Sequence, residues 1–281
     1  MAMKVIKGYI VLIRPHNCVL AGLSIFIGGV VTGSMQPAAR LLLAALSGFL
    51  ICAGGNSIND YFDIEIDRIN KPNRPLPSGI ITPIKAFVFS LILFISGFAV
   101  SFFINISCII IAGITCLLLY FYSRNFKRMI LVGNAVVALL TGLAFVYGGV
   151  AVGNVYKAGV VGVFALFYHF AREIIKDIED KKGDSSEGVK SYPVKYGDKA
   201  ALLLTSIILI LLIGVTIIPY FLGIFSVYYL IIVAAGVDVF LVYVMVSMWS
   251  DRGVANLRRL EILMKINMLV GLLAVYVGSF R

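Results

Sequence analysis

The sequence predicts an all-α, polytopic membrane protein: nine transmembrane helices in one bundle, forming a single domain over residues 1–281. Three observations predict it. Of the residues, 60% are hydrophobic and only 14% are charged, against roughly a quarter charged in a soluble globular domain. Apolar runs recur along the whole chain, each long enough to cross the hydrocarbon core with about 20 residues. No stretch between them has the composition of a soluble domain.

The expected spans cover about residues 11–33, 39–62, 82–102, 104–122, 129–151, 157–178, 199–219, 224–248 and 259–279. Lys4 and Lys7 precede the first apolar run as in a signal peptide. That run is long and lacks a small-residue cleavage site, so it reads as a retained first span. Gly33 to Pro37 breaks the first pair. Pro72, Pro75, Pro77 and Pro83 enforce a non-helical loop before the third span. A break near Asn105 divides spans three and four, and Pro219 with Gly223 separates spans seven and eight. Cys18, Cys52, Cys108 and Cys116 all fall in apolar runs with no CxxC pair, and read as small buried hydrophobes.

The net charge is +10. Because the cations sit in loops between spans, they point to anionic headgroups, anionic substrates and topology, not to nucleic acid. With the N-terminus and the loops after even-numbered spans on one side, that side holds 21 basic residues and leaves Arg40, Lys157 and Arg281 to the other. The basic side is expected to be cytoplasmic in the cell membrane, and an odd number of spans puts the C-terminus outside. Thirteen of the fourteen acids fall on the same side; Asp238, inside span eight, is the exception. A single face rich in both charges is the expected place of chemistry.

Those acids form two motifs. The first runs from Asn56 through Asn59, Asp60 and Asp63 to Asp67. If span two continues as a helix, Asn56, Asp60, Asp63 and Asp67 share one face at i, i+4, i+7 and i+11. Carboxylates stacked at that distance repel each other, more so beside the membrane, and a divalent ion resolves the repulsion. In the second motif, Asp177, Asp180 and Asp184 repeat the spacing of Asp60, Asp63 and Asp67. Each set closes an even-numbered span and precedes a basic, Pro-containing loop, with Arg74 after the first and Lys190 after the second. This weak internal repeat suggests two metal-binding stripes facing each other. Magnesium suits them, since it takes oxygen ligands and is held by one or two carboxylates plus substrate phosphates. It would neutralise charge on a departing diphosphate, with Lys and Arg completing the clamp. The plainer reading is a solvated, charged helix end; the matched second copy argues against it.

At these residues the sequence resembles the UbiA-type family of intramembrane prenyltransferases. Asn59-Asp60-x-x-Asp63-x-x-x-Asp67 followed by Arg74-Pro75-Leu76-Pro77-Ser78-Gly79 is similar to the family's first signature, and Asp180-x-x-x-Asp184-x-x-x-Gly188 with Lys190-Ser191 to its second. Tyr122-Ser123 through Lys127, then Gly133-Asn134, resembles the loop after span four. The resemblance implies a polyprenyl diphosphate bound through two Mg2+ ions, ionisation of its allylic C–O bond, and transfer of the prenyl cation to an acceptor. It makes Asn59, Asp63, Asp67, Asp180 and Asp184 the metal shell, with Asp60 and Asp177 more peripheral, and turns Lys127, Tyr122 and Ser123 toward the diphosphate. The opening Arg14-Pro15-His16-Asn17-Cys18 and the run Lys176-Asp177 through Asp184 look most like the archaeal members that join geranylgeranyl diphosphate to geranylgeranylglyceryl phosphate in ether-lipid synthesis. Arg14, Asn17, Arg74, Lys176 and Lys190 are then expected among the substrate contacts, with Arg14, Arg74 and Lys190 on the acceptor's phosphate. An aromatic quinone precursor is the alternative acceptor.

The remaining polar residues have two readings each. His16 is an interfacial residue or a substrate contact; His169 packs in span six or lines the cavity. Arg172 contacts diphosphate or snorkels to the interface. Asp238 is functional, or contacts a neighbouring helix's hydroxyl or amide. Tyr61, Phe62, Tyr122 and Tyr168 could face a carbocation, though packing explains each as well. No residue stands out as the base for the acceptor's proton. A transporter would place its charges at the midplane, and the motif of a CDP-alcohol phosphotransferase is not visible.

Overall fold

The computed structural model describes residues 2–33, 37–186 and 191–279, all helices and connecting turns. The helices are α1 (Ala2–Ile13), α2 (Pro15–Val30), α3 (Ala38–Phe62), α4 (Ile64–Asn70), α5 (Pro83–Ser101), α6 (Ile106–Arg124), α7 (Val132–Ala151), α8 (Tyr156–Ser186), α9 (Tyr192–Tyr196), α10 (Asp198–Phe221), α11 (Val227–Ile232), α12 (Val239–Ser250) and α13 (Val254–Ser279). Among the described residues, eight helical spans are long and apolar enough to cross a membrane, or nine with the bent pair α1–α2 counted as one span. The protein is a multi-span membrane protein. The chain divides into two compact units: Met1–Gly29, Met35–Lys127 and Leu143–Asn154 form one, and Val30–Ser34, Arg128–Gly142 and Val155–Arg281 the other.

In the first unit, the first span is broken rather than continuous. Pro15 has no N–H and drives its predecessor out of the right-handed helical region. Arg14 accordingly takes φ +50°, and α1 and α2 meet at 43°. The break frees the Ile13 carbonyl, which accepts from Asn56 Nδ2 at 2.9 Å and Cys18 Sγ at 3.0 Å. Asn56 therefore ties the break to α3.

Helix α3 is the centre of this unit and packs against α1, α5 and α6. Close approach needs small residues, as is usual between membrane helices. A Cβ on Gly97 would lie 2.7 Å from Ile51 Cγ1 and 2.9 Å from the Ser47 carbonyl oxygen. Ser47 Oγ donates to Gly97 O at 2.7 Å, and Tyr147 Oη reaches Ser47 Oγ at 3.0 Å. The expected break near Asn105 is a helix cap: Asn105 Oδ1 accepts from Cys108 N at 2.9 Å, while Nδ2 donates to Val150 O at 2.9 Å.

The proline-rich loop is a stack of turns. Ser78 N bonds Arg74 O at 3.0 Å, Ile81 N bonds Pro75 O at 3.0 Å, and Gly79 supplies a φ of +73° that an L side chain resists. Leu76 and Ile81 pack beneath with Leu12 and Ala86. The loop thus has its own small core, which fixes where Arg74 stands.

In the second unit, α8 packs against α9, α10 and α13, and α13 against α11 and α12. Helix α8 continues to Ser186, well past the expected span end near 178, and carries the second acidic motif as unbroken helix. The eighth span is interrupted by a π-helical stretch, Val233–Asp238, between α11 and α12. Such a stretch loosens the backbone ladder, and the Gly236 carbonyl inside it accepts from Asn267 Nδ2 at 2.7 Å. Asp238 contacts a neighbouring hydroxyl, Thr216 Oγ1 at 3.1 Å, one of its two readings. Pro219 lies inside the last turn of α10, which runs two residues past it to Phe221; it removes one i→i−4 hydrogen bond of the helix. The turn comes at Gly223, φ +67°. Span five begins at Val132 rather than 129, after a 3₁₀ turn, Phe126–Arg128, and Leu131 at φ +60°.

Candidate active site

The first motif straddles the junction of α3 and α4. The helical ladder continues across it, since Asp63 N bonds Asn59 O at 3.0 Å and Asp67 N bonds Asp63 O at 2.8 Å. Asp63 itself, at φ −95° and ψ 4°, makes a hitch between the two helices. The stripe expected from the spacing is therefore present, with its middle residue at the hitch.

Asp60, Asp63 and Asp67 are 4%, 7% and 4% exposed. Carboxylates so dehydrated need partners, and three cations of the same unit supply them. Arg14 Nη2 binds Asp60. Arg74 Nη1 lies 3.3 Å from Asp60 Oδ1 and 2.5 Å from Asp67 Oδ2. Lys127 Nζ, in the 3₁₀ turn after α6, meets both oxygens of Asp63, and Asn59 Nδ2 donates to Asp63 Oδ2 at 2.9 Å. The repulsion for which the spacing invoked a divalent ion is thus offset by Arg14, Arg74 and Lys127. The break at Arg14 and the turn stack at Arg74 are what aim two of these cations.

In the second unit, Asp177 is half-buried and accepts from Asn134 Nδ2 at 2.9 Å. Lys176 and Asp180 are exposed on α8. The Asp184 side chain and Lys190 lie outside the described residues. One turn before Asp177, Arg172 is buried between two acids: Nη1 lies 2.5 Å from Glu261 Oε1 on α13, and Nη2 binds Glu173. Lys265 adds a 2.7 Å contact to Glu261. Arg172 therefore neither snorkels nor stands free.

Other expected contacts fall as follows. Asn17 and Tyr122 are half-buried on α2 and α6. Ser123 is buried and donates to Leu119 O of its own helix at 2.9 Å, which occupies its proton. His16 is exposed at the start of α2. His169 is an unpartnered histidine on α8, with Nδ1 buried.

Three residues missed by sequence reasoning join these clusters. Glu173 stands four residues before Asp177, as Asn56 stands before Asp60, so extending the same spacing would have found it. Asn134 lay within the Gly133-Asn134 segment but was assigned no role. Glu261 meets Arg172 across 89 positions, and no local pattern announces such a contact.

The donor set suits magnesium. Asn59 spends its amide nitrogen on Asp63, leaving its carbonyl oxygen beside carboxylate oxygens, all hard ligands. Among the described residues, no three of His, Cys, Asp and Glu form a metal cage by themselves.

These features define a class: a polytopic, all-helical membrane protein whose buried carboxylates are matched by cations at a helix end. The profile of the UbiA prenyltransferase family matches residues 20–269, and the chain belongs to that family of intramembrane prenyltransferases. The digeranylgeranylglyceryl phosphate synthase of Methanocaldococcus jannaschii is 40% identical over 280 residues, covering 99% of this chain and 98% of the relative. That of Thermococcus kodakarensis is 37% identical over 274 residues, covering 97% and 98%. A solved structure of a digeranylgeranylglyceryl phosphate synthase superposes with a TM-score of 0.87 at 40% identity, covering 98% of both chains. A UbiA homolog from Archaeoglobus fulgidus bound to DMAPP and Mg2+ shares the fold, with a TM-score of 0.73 at 20% identity over 96% of this chain and 99% of that one.

Proposed function

We propose that this chain works as one prenyltransferase domain that moves a geranylgeranyl group from geranylgeranyl diphosphate to geranylgeranylglyceryl phosphate, giving digeranylgeranylglyceryl phosphate. The observation that carries the reading is the 40% identity to the M. jannaschii synthase across 99% of the chain. The active site and the N-terminus face the cytoplasm in this reading, supported by the 21-to-3 split of basic residues.

Asn59, Asp60, Asp63 and Asp67 of the first motif and Asp177, Asp180 and Asp184 of the second are the proposed magnesium ligands. Magnesium, when bound, neutralises the negative charge that grows on the departing diphosphate. Arg74 keeps Asp60 and Asp67 paired and oriented, a role usual for groups behind metal ligands. Lys127, with Tyr122 and Ser123 near it in sequence, binds the donor's diphosphate; Arg14, Asn17, Arg74, Lys176 and Lys190 are the proposed further substrate contacts. In the transfer, the bond from prenyl C1 to the diphosphate oxygen breaks. A bond from the acceptor's hydroxyl oxygen to C1 forms, and the hydroxyl proton passes to a diphosphate oxygen or a nearby base. The apolar bundle shields the cationic C1 from water.

The test is a choice of acceptors. Purified protein in lipid nanodiscs receives labelled geranylgeranyl diphosphate, Mg2+, geranylgeranylglyceryl phosphate and an aromatic quinone precursor. Label in the diether phosphate supports the reading. Label in the aromatic product alone overturns it.

A further inference from the structure

Lys127 and a magnesium ion would compete for the same atoms. Lys127 Nζ touches both Asp63 oxygens, and Asn59 Nδ2 takes a further lone pair of Oδ2 at 2.9 Å. A metal approaching Asp63 finds one lone pair of Oδ1 open and an ammonium beside it, so the two cations repel and compete for the carboxylate. Resting on the reading of Asp63 as a magnesium ligand, we propose that Lys127 is an exchangeable counter-ion. It holds Asp63, then yields the carboxylate to metal that arrives with diphosphate and moves onto the diphosphate itself.

The three cations of the cluster differ in how readily they could do this. Arg74 bridges Asp60 and Asp67, and Arg14 also binds Asp60; Arg74 cannot leave without stripping Asp67, and each guanidinium is part of one connected cluster around Asp60. Lys127 serves one acid, the one at the hitch between α3 and α4. Its ammonium is a point charge on a flexible four-carbon stem, unlike the rigid guanidinium fork. The three cations are about equally exposed, at 26%, 25% and 22% for Arg14, Arg74 and Lys127, so what sets Lys127 apart is its single partner and flexible stem. It stands in a short 3₁₀ turn, four residues before Leu131 at φ +60°, outside any long helix.

A consequence follows from linkage. A counter-ion that opposes bare metal but favours metal plus diphosphate couples the two ligands positively, and the coupling is reciprocal. Removing Lys127 should tighten metal binding when diphosphate is absent, while weakening diphosphate binding.

The experiment measures Mn2+ binding to the full chain in nanodiscs by electron paramagnetic resonance, with and without inorganic pyrophosphate, correcting for free metal–pyrophosphate complex. The Asp63→Asn variant defines the Asp63-dependent component. For Lys127→Met, the expected result is about tenfold tighter metal binding without pyrophosphate and loss of most of the coupling, on the scale usual for coupled ligands. Lys127→Gln should show the same sign and serves if the methionine variant does not assemble. On the Asp63→Asn background, Lys127→Met should leave metal binding without pyrophosphate unchanged, which a general structural effect would not reproduce. Asp63-dependent metal binding that is unchanged or weaker in Lys127→Met overturns the exchange. Metal binding insensitive to Asp63→Asn in both proteins overturns the magnesium reading of Asp63 beneath it.

Discussion

Arg74 and Asp67 meet at 2.5 Å through a turn stack that begins where α4 ends. The contact joins two signatures that look separate in the sequence, the acidic stripe and the Arg-Pro-Leu-Pro turn. Because Arg74 also reaches Asp60, one guanidinium orients two buried carboxylates.

Arg74→Ala should leave both acids undercompensated and the stripe misaligned. The expected outcome is a loss of about 10–100-fold in kcat/KM, the usual cost of removing a group behind a metal ligand, with a raised Mg2+ requirement. Arg74→Lys should recover part of the loss, because both acids meet the single nitrogen Nη1 and an ammonium carries donors for two carboxylates. Steady-state kinetics at varied Mg2+ check this; wild-type magnesium dependence in Arg74→Ala would remove the orienting role.

Asn56 has a different duty. Its amide closes the carbonyl left open at the Arg14–Pro15 break, so Asn56→Leu should destabilise the protein by about 0.5–1.5 kcal/mol and loosen the placement of Arg14. The expected signature is a lower unfolding midpoint in nanodiscs with only a modest loss of activity. A metal-binding role would give the reverse: unchanged stability and abolished turnover.

Arg172 and Glu261 are both nearly buried, at 11% and 7% side-chain exposure. Glu261→Ala removes a partner of both Arg172 and Lys265 and leaves Arg172 with Glu173 alone, so it should cost more than a neutral hydrogen bond but less than the roughly 3–5 kcal/mol of a buried charge stranded outright. Glu261→Ala should therefore unfold more readily than Asn56→Leu. The Arg172→Ala/Glu261→Ala double variant should lose less than the sum of the singles. Additive losses would show that the two residues act independently.

How far these features could be read in advance depends on their range. Helices came from composition, because a lipid-facing surface forces long apolar runs. The stripe at Asp60, Asp63 and Asp67 came from helical periodicity. The bend at Arg14 was hidden because both sides of it are apolar, and hydropathy averages over direction. Pro219 and Gly223 do mark the separation of spans seven and eight, with α10 ending two residues past the proline. Lys127 lies 64 positions from Asp63 and Glu261 lies 89 from Arg172; such pairs depend on tertiary packing. The family resemblance assigned Lys127 to the diphosphate and gave no sign of its seat on Asp63.

The central claim is that both acidic motifs work through magnesium to release diphosphate from a prenyl donor. Its most direct test measures pyrophosphate release from geranylgeranyl diphosphate with acceptor present, in wild type, Asp63→Ala and Asp180→Ala, with Mg2+ and with a chelator. The account predicts Mg2+-dependent release in the wild type and a loss of at least about 100-fold in each variant, the scale of removing a group that stabilises charge in the transition state. Turnover retained in both variants, or unaffected by the chelator, would contradict it.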